Sequence, residues 1–205
     1  MSDYARRYKR WIDLAVAVPG ALVSLPVVAL TAAAVRAESP GHPIFTQERV
    51  GRDGRPFRLF KLRTMVRDAE TLGEGLRIAE GDARITRLGG WLRRLSIDEL
   101  PQLWNVVRGD MSLIGPRPTL QYQVDQYTPH QRRRLEVRPG ITGWAQINGR
   151  ASLPWSERIE LDVWYVEHLS LGLDLTILAR TLPQVFGGGG LYRGTREGWA
   201  PPTDG

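Results

Sequence analysis

Residues 14–35 carry no charged side chain, and an α-helix of that length, rising about 1.5 Å per residue, covers the roughly 30 Å hydrocarbon core of a bilayer. Arg6, Arg7, Lys9 and Arg10 precede the run, and Ala32-Ala33-Ala34 would suit a signal peptidase, so a cleaved signal peptide is one reading. Pro19 and Pro26 lie inside it. Each removes a backbone donor and crowds the preceding turn, so a bend near Pro26 is expected. Positive charge also follows the run, at Arg36, Arg49, Arg52, Arg55, Arg58, Lys61 and Arg63. A spanning helix has one flank poorer in Lys and Arg, whereas here both flanks look cytoplasmic. A helix that enters one leaflet, bends at Pro26 and returns satisfies both observations, provided protein covers the backbone groups freed at the bend. The re-entrant reading ranks first, a spanning helix second and a cleaved signal third.

The chain of 205 residues fits a single domain with its own core. Lys and Arg outnumber Asp and Glu by 28 to 22, for a net charge of +6. An anionic partner follows, whether nucleic acid, an anionic membrane surface or a phosphorylated substrate. No cysteine is present, which excludes disulfides, thiolate zinc sites and cysteine nucleophiles. Ser39-Pro40-Gly41-His42-Pro43 closes the apolar segment, and strands over 44–50 and 57–62 flank the turn Gly51-Arg52-Asp53-Gly54. Helical spacing covers 67–80, 85–95, 99–107, 120–134, 156–168 and 173–186. The expected fold is mainly α with a small β-hairpin, an α+β arrangement. Residues 1–38 form the basic flank and membrane helix, 39–186 the main domain, and 187–205 a Gly-rich hinge and polar tail beginning at Gly187-Gly188-Gly189-Gly190. Trp11, Trp91, Trp144, Trp155, Trp164 and Trp199 suit a membrane interface when exposed, although core burial is the expectation for each taken singly.

Asp98 and Glu99 are the acids that matter most. Ser96-Ile97-Asp98-Glu99 matches a capping box, with the Ser96 hydroxyl accepting from the Glu99 backbone N–H and the Glu99 side chain reaching back. A helix N-terminus also favours negative charge, so an isolated pair of this kind is structural by default. The surroundings change that reading. Arg93, the block Leu100-Pro101-Gln102-Leu103 with Asn105, Gly109-Asp110-Met111-Ser112 and Gly115-Pro116-Arg117-Pro118 accompany it. Further blocks are Gln47-Glu48-Arg49-Val50-Gly51, Lys61-Leu62-Arg63-Thr64-Met65, the run from Val137-Arg138-Pro139-Gly140 to Asn148-Gly149-Arg150, and Glu160-Leu161-Asp162-Val163-Trp164-Tyr165. Together they resemble the monotopic phosphoglycosyl transferases, the bacterial sugar transferase family, over residues 10–186.

The resemblance implies a monotopic membrane protein of the bacterial inner membrane, with its catalytic domain on the cytoplasmic face and a re-entrant, proline-broken first helix. One departure is that Leu25, not a serine, precedes Pro26. It implies a UDP-sugar donor, a polyprenyl phosphate acceptor and Mg2+, whose preference for oxygen suits carboxylates and phosphates. Asp98 takes the nucleophile's position, and Glu99 a second acid for metal binding or proton handling. Asp98, Glu99 and Asp162 form the implied metal set. Lys61, Arg63, Arg93, Arg117 and Arg150 are the candidate substrate-binding cations, with Arg150 foremost for phosphate, and Pro116 and Pro118 stiffen the segment that holds uridine. The resemblance also allows a homodimer, which nothing in the sequence requires. The competing reading is a membrane-tethered basic scaffold that binds anions through Arg132-Arg133-Arg134 without catalysis. It leaves the acids unused.

Overall fold

The computed structural model describes residues 4, 8–72, 81–149 and 153–186. The apolar run forms one helix, α1 (Lys9–Glu38), with Pro19 and Pro26 both inside it. By length and composition it could cross a membrane. At about 1.5 Å per residue, 30 residues would extend roughly 45 Å if straight, yet both of its ends are held by the same domain. At the start, Lys9 Nζ lies 2.6 Å from Asp174 Oδ2, Arg10 donates to the Val106 and Val107 carbonyls, and Asp13 Oδ1 accepts from Ser112 Oγ and the Leu113 N–H. At the end, Val35 packs on Leu62 and Leu92. Between them Leu22, Val23, Leu25 and Leu30 are exposed.

The expected hairpin is present. β1 (Ile44–Val50) pairs antiparallel with β2 (Pro56–Leu62), Phe45 standing opposite Lys61. Asp53 and Gly54 take positive φ in the connecting turn, conformations that suit Asp and Gly. Four of the expected helices appear with shifted ends: α2 (Arg87–Arg94), α3 (Gln102–Arg108), α7 (Trp155–Glu167) and α8 (Leu171–Phe186). The Thr86 hydroxyl caps α2 by accepting from the Gly89 N–H.

The helix expected over 120–134 is instead two short pieces, α4 (Gln121–Val124) and α5 (Pro129–Arg132), followed by a 3₁₀ turn. Pro129 is the cause. It holds Thr128 extended, at ψ 162°, and Thr128 then caps the second piece. At 67–72 only a 3₁₀ turn forms, and residues 73–80 lie outside the described residues, as does the tail over 187–205.

Two strands were not anticipated. β3 (Ser112–Ile114) and β4 (Gly140–Thr142) form a parallel pair, with Ser112 opposite Gly140 and Ile114 opposite Thr142. A short helix, α6 (Trp144–Ile147), follows. The core joins these parts: Ile114, Val137, Tyr165, Val166, Leu169 and Ile177 make one cluster, and Ala17 of α1 packs with Leu59, Val106 and Met111 in another. The tryptophans divide: Trp144 and Trp155 are partly buried against core clusters, while others depart from the expectation of core burial. Trp11, Trp91, Trp104 and Trp164 are exposed because they stand on the outer faces of helices whose other faces fill these clusters; Trp199 lies outside the described residues.

Candidate active site

The acid pair sits on a 3₁₀ turn, Ile97–Glu99, entered through Ser96 at φ 56°, ψ 20°. A left-handed serine costs on the order of 1 kcal/mol, a strain typical of functional sites. The capping box is not formed. Ser96 makes no side-chain cap, because the left-handed turn presents its carbonyl, not its hydroxyl, to the Glu99 N–H at 3.2 Å. The Glu99 carboxylate, released from capping, accepts from Lys61 Nζ at 2.7 Å and Arg117 Nη2 at 3.0 Å.

Asp98 is buried at 4% exposure. Its Oδ2 lies 4.0 Å from Lys61 Nζ, and among the described residues Oδ1 accepts no hydrogen bond. Burial pushes the Asp98 carboxyl up to about 6, Lys61 pulling it down and the Glu99 charge adding to the rise. Burial would raise Glu99 too, but Lys61 and Arg117 together bring it down to about 2. Burial thus pushes one carboxyl up while two cations pull its neighbour down, the pattern of acids given different roles.

Strand β2 delivers Lys61, whose neighbour Leu62 is buried on the opposite face of the strand. Helix α2 brings Arg93, whose charge reaches Asp98 while its Nε donates to Thr64 Oγ1 at 2.6 Å. Arg117 stands in the loop after β3, between Pro116 and Pro118. Asp98, Glu99, Lys61, Arg93 and Arg117 therefore converge, as the motifs predict.

Two predicted site residues do not join them. Arg63 is buried, donating to the Pro40 carbonyl at 2.7 Å and the Ser39 carbonyl at 2.6 Å. It fastens the end of α1 to the hairpin, so its guanidinium is committed there and not to substrate. Asp162 forms an ion pair with Arg134, because α7 turns it into the interior; the three-acid metal set is corrected accordingly. Among the described residues no three acidic or histidine side chains gather. Asp98 and Glu99 still fit Mg2+, which commonly takes one or two carboxylates with waters and substrate phosphates, and the unpartnered buried Asp98 Oδ1 is the oxygen such a cation would satisfy. Arg150 lies outside the described residues.

Arg134 was legible only as part of Arg132-Arg133-Arg134. That run is not one anion-binding patch, since Arg134 is buried and Arg133 pairs with Glu136 and Glu167. Residues 4–188 match the family model described as bacterial sugar transferase. The chain belongs to that family. The bacterial sugar transferase chain is 46% identical over 177 residues to the uncharacterized sugar transferase EpsL of Bacillus subtilis (strain 168), covering 86% of each. It is 43% identical over 187 residues to the UDP-glucose:undecaprenyl-phosphate glucose-1-phosphate transferase of Caulobacter vibrioides, covering 86% of this chain and 69% of that one. Against the UDP-N-acetylgalactosamine-undecaprenyl-phosphate N-acetylgalactosaminephosphotransferase of Aeromonas hydrophila, identity is 42% over 188 residues, 89% of this chain but 44% of the relative. The chain thus spans less than half of some longer relatives.

Proposed function

We propose that this bacterial sugar transferase moves a sugar-1-phosphate from a UDP-sugar to undecaprenyl phosphate, releasing UMP, through a covalent intermediate on Asp98. The observation that carries the reading is the Asp98 carboxylate itself, buried, unpartnered at Oδ1 and set beside a lysine that favours its ionised form. The Asp98 oxygen attacks the phosphorus that bears the sugar, the bond from that phosphorus to UMP breaks, and UMP leaves with the electron pair. An oxygen of the polyprenyl phosphate then attacks the same phosphorus, freeing the carboxylate and giving a polyprenyl diphosphate sugar. Ping-pong kinetics follow.

Lys61 and Arg117 hold Glu99 ionised and offset the charge of an incoming diphosphate. Arg93 adds a third positive charge beside the nucleophile. Mg2+, bound by Asp98 and Glu99, would neutralise charge on the diphosphate. The fixed ends of α1 favour a helix that dips into one leaflet and returns, with the domain at the cytoplasmic face of the inner membrane, where a long polyprenyl chain need not leave the bilayer.

The test is UMP release by nanodisc-purified protein supplied with undecaprenyl phosphate, Mg2+ and a panel of UDP-sugars. Release with one donor supports the reading and names the sugar, whereas silence across the panel from folded protein favours a non-catalytic scaffold. The nucleophile must be ionised, so kcat/KM for the donor falls roughly tenfold per pH unit below about 6. Replacing Lys61 by Met removes the charge that lowers Asp98, and the acid limb moves up by roughly one pH unit. An unmoved limb, measured from pH 5 to 9, would count against Lys61 as the group tuning Asp98.

A further inference from the structure

The loop that carries Arg117 cannot be held as a strand would be, because Pro116 and Pro118 have no N–H to donate. Its carbonyls are gripped instead. The Ile114 carbonyl accepts from the Tyr165 hydroxyl at 3.2 Å, Pro116 from the Gly140 N–H at 2.9 Å, and Thr119 from the Val50 N–H at 2.9 Å. Arg49 reaches the Pro118 carbonyl at 3.5 Å, and Arg134 Nη2 donates to the carbonyl of Arg117 itself at 2.9 Å. That last bond comes from a side chain only 3% exposed, whose other partners are Asp162, equally buried, and the Tyr127 hydroxyl at 2.7 Å.

A buried ion pair adds little net stability over apolar side chains of the same volume, so folding alone is a weak reason for this one. Apolar residues could not donate to the Arg117 carbonyl. An Arg134 without its carboxylate would be an uncompensated buried charge, and the strongly hydrated point charge of a lysine could not serve Asp162, Tyr127 and Arg117 at once.

We infer that Asp162 and Arg134 are positioning residues for the donor nucleotide: Asp162 orients Arg134, Arg134 fixes the backbone of Arg117, and Arg117 then meets the anionic donor beside Glu99. This rests on the donor reading above and assigns Asp162 a place behind the loop, where its own carboxylate, paired with Arg134, would not hold the cation.

The experiment measures UMP binding to the full chain in nanodiscs by calorimetry, together with the Mg2+ concentration giving half-maximal UMP release. Arg117→Ala, Arg134→Lys, Asp162→Asn and the double variant Arg117→Ala with Arg134→Lys are compared with the starting protein, and circular dichroism checks the fold. Each single variant is expected to weaken UMP binding roughly tenfold and to raise donor KM more than it lowers kcat. The double variant is expected to match Arg117→Ala alone, since one residue acts through the other. The Mg2+ midpoint of Asp162→Asn is expected to match that of Arg117→Ala, since Asp162 reaches Glu99 only through Arg117. Additive losses, an Mg2+ midpoint in Asp162→Asn that departs from that of Arg117→Ala, or unchanged UMP affinity in the Arg134 and Asp162 variants would overturn the inference and leave the donor reading standing. Should Arg134→Lys fail to fold, Tyr127→Phe removes one support of Arg134 more gently; it is expected to weaken UMP binding about threefold, and unaltered affinity would again overturn the inference. A starting protein that neither binds nor releases UMP removes the donor reading and this inference together.

Discussion

Asn in place of Asp98 is expected to lower UMP release by about 10⁴-fold or more while leaving the melting temperature unchanged or slightly raised. The size follows from the role, because removing a covalent nucleophile takes away the reaction path and leaves only binding and electrostatic assistance. The stability follows from the surroundings. Asp98 is 4% exposed and burial disfavours its charge, so a neutral side chain of the same shape removes a desolvation cost. Lys61 keeps its closer partner, Glu99, at 2.7 Å. Incubation with a donor labelled in the sugar phosphate, without acceptor, should leave label on the starting protein and none on Asp98→Asn. Adduct on the variant, or UMP release near the starting rate, would place the nucleophile elsewhere.

Gly140→Ala is expected to be the most damaging of the simple glycine substitutions. A Cβ at Gly140 would stand 2.1 Å from the Gly115 nitrogen, 2.4 Å from the Thr142 carbonyl oxygen and 2.7 Å from the Gly115 Cα. All three are backbone atoms, two of Gly115 just past β3 and one of β4 itself, so relief requires β4 to distort and to part from the chain leaving β3. A loss of about 3 kcal/mol or more follows, or roughly 10 °C in melting temperature for a chain of this size. Gly90→Ala is the matched control. Gly90 lies inside α2 with nothing within 4 Å of a built Cβ, and the substitution is expected to stabilise by about 0.5 to 1 kcal/mol. Thermal melts in detergent followed by circular dichroism compare the two; a Gly140→Ala melt within a degree or two of the starting protein would show that the parallel pair yields easily.

The hairpin could be read in the sequence because strand-like runs flank a turn whose glycine and aspartate suit positive φ. Asp98, Glu99 and Lys61 could be read because their motifs are local and their chemistry is distinctive. Arg63 and Asp162 could not, since what decides their roles lies far along the chain: Arg63 answers the carbonyls of Ser39 and Pro40, and Asp162 answers Arg134, 28 residues before it. Arg134 was hidden for the same reason, as one arginine of three consecutive ones. Ser96 shows how a local rule fails, because its left-handed backbone defeats a capping pattern that its side chain satisfies on paper. The strands β3 and β4 are three residues each, too short for alternation to register, and they pair in parallel across a long separation.

The grip on both ends of α1 also sets an order of events during synthesis. The partners of its C-terminal end, Leu62 and Arg63, leave the ribosome soon after the helix itself, whereas the carboxylate that receives Lys9 arrives 165 residues later. Contacts so distant in the chain form late and slowly. At about 5 to 20 residues per second, translation leaves the leading end of the apolar helix without Asp174 for roughly 10 to 30 seconds. During that interval the leading end of the apolar helix gains Val106, Val107 and Ser112 first and Asp174 last, so α8, the last described helix to be made, is the piece that completes its grip.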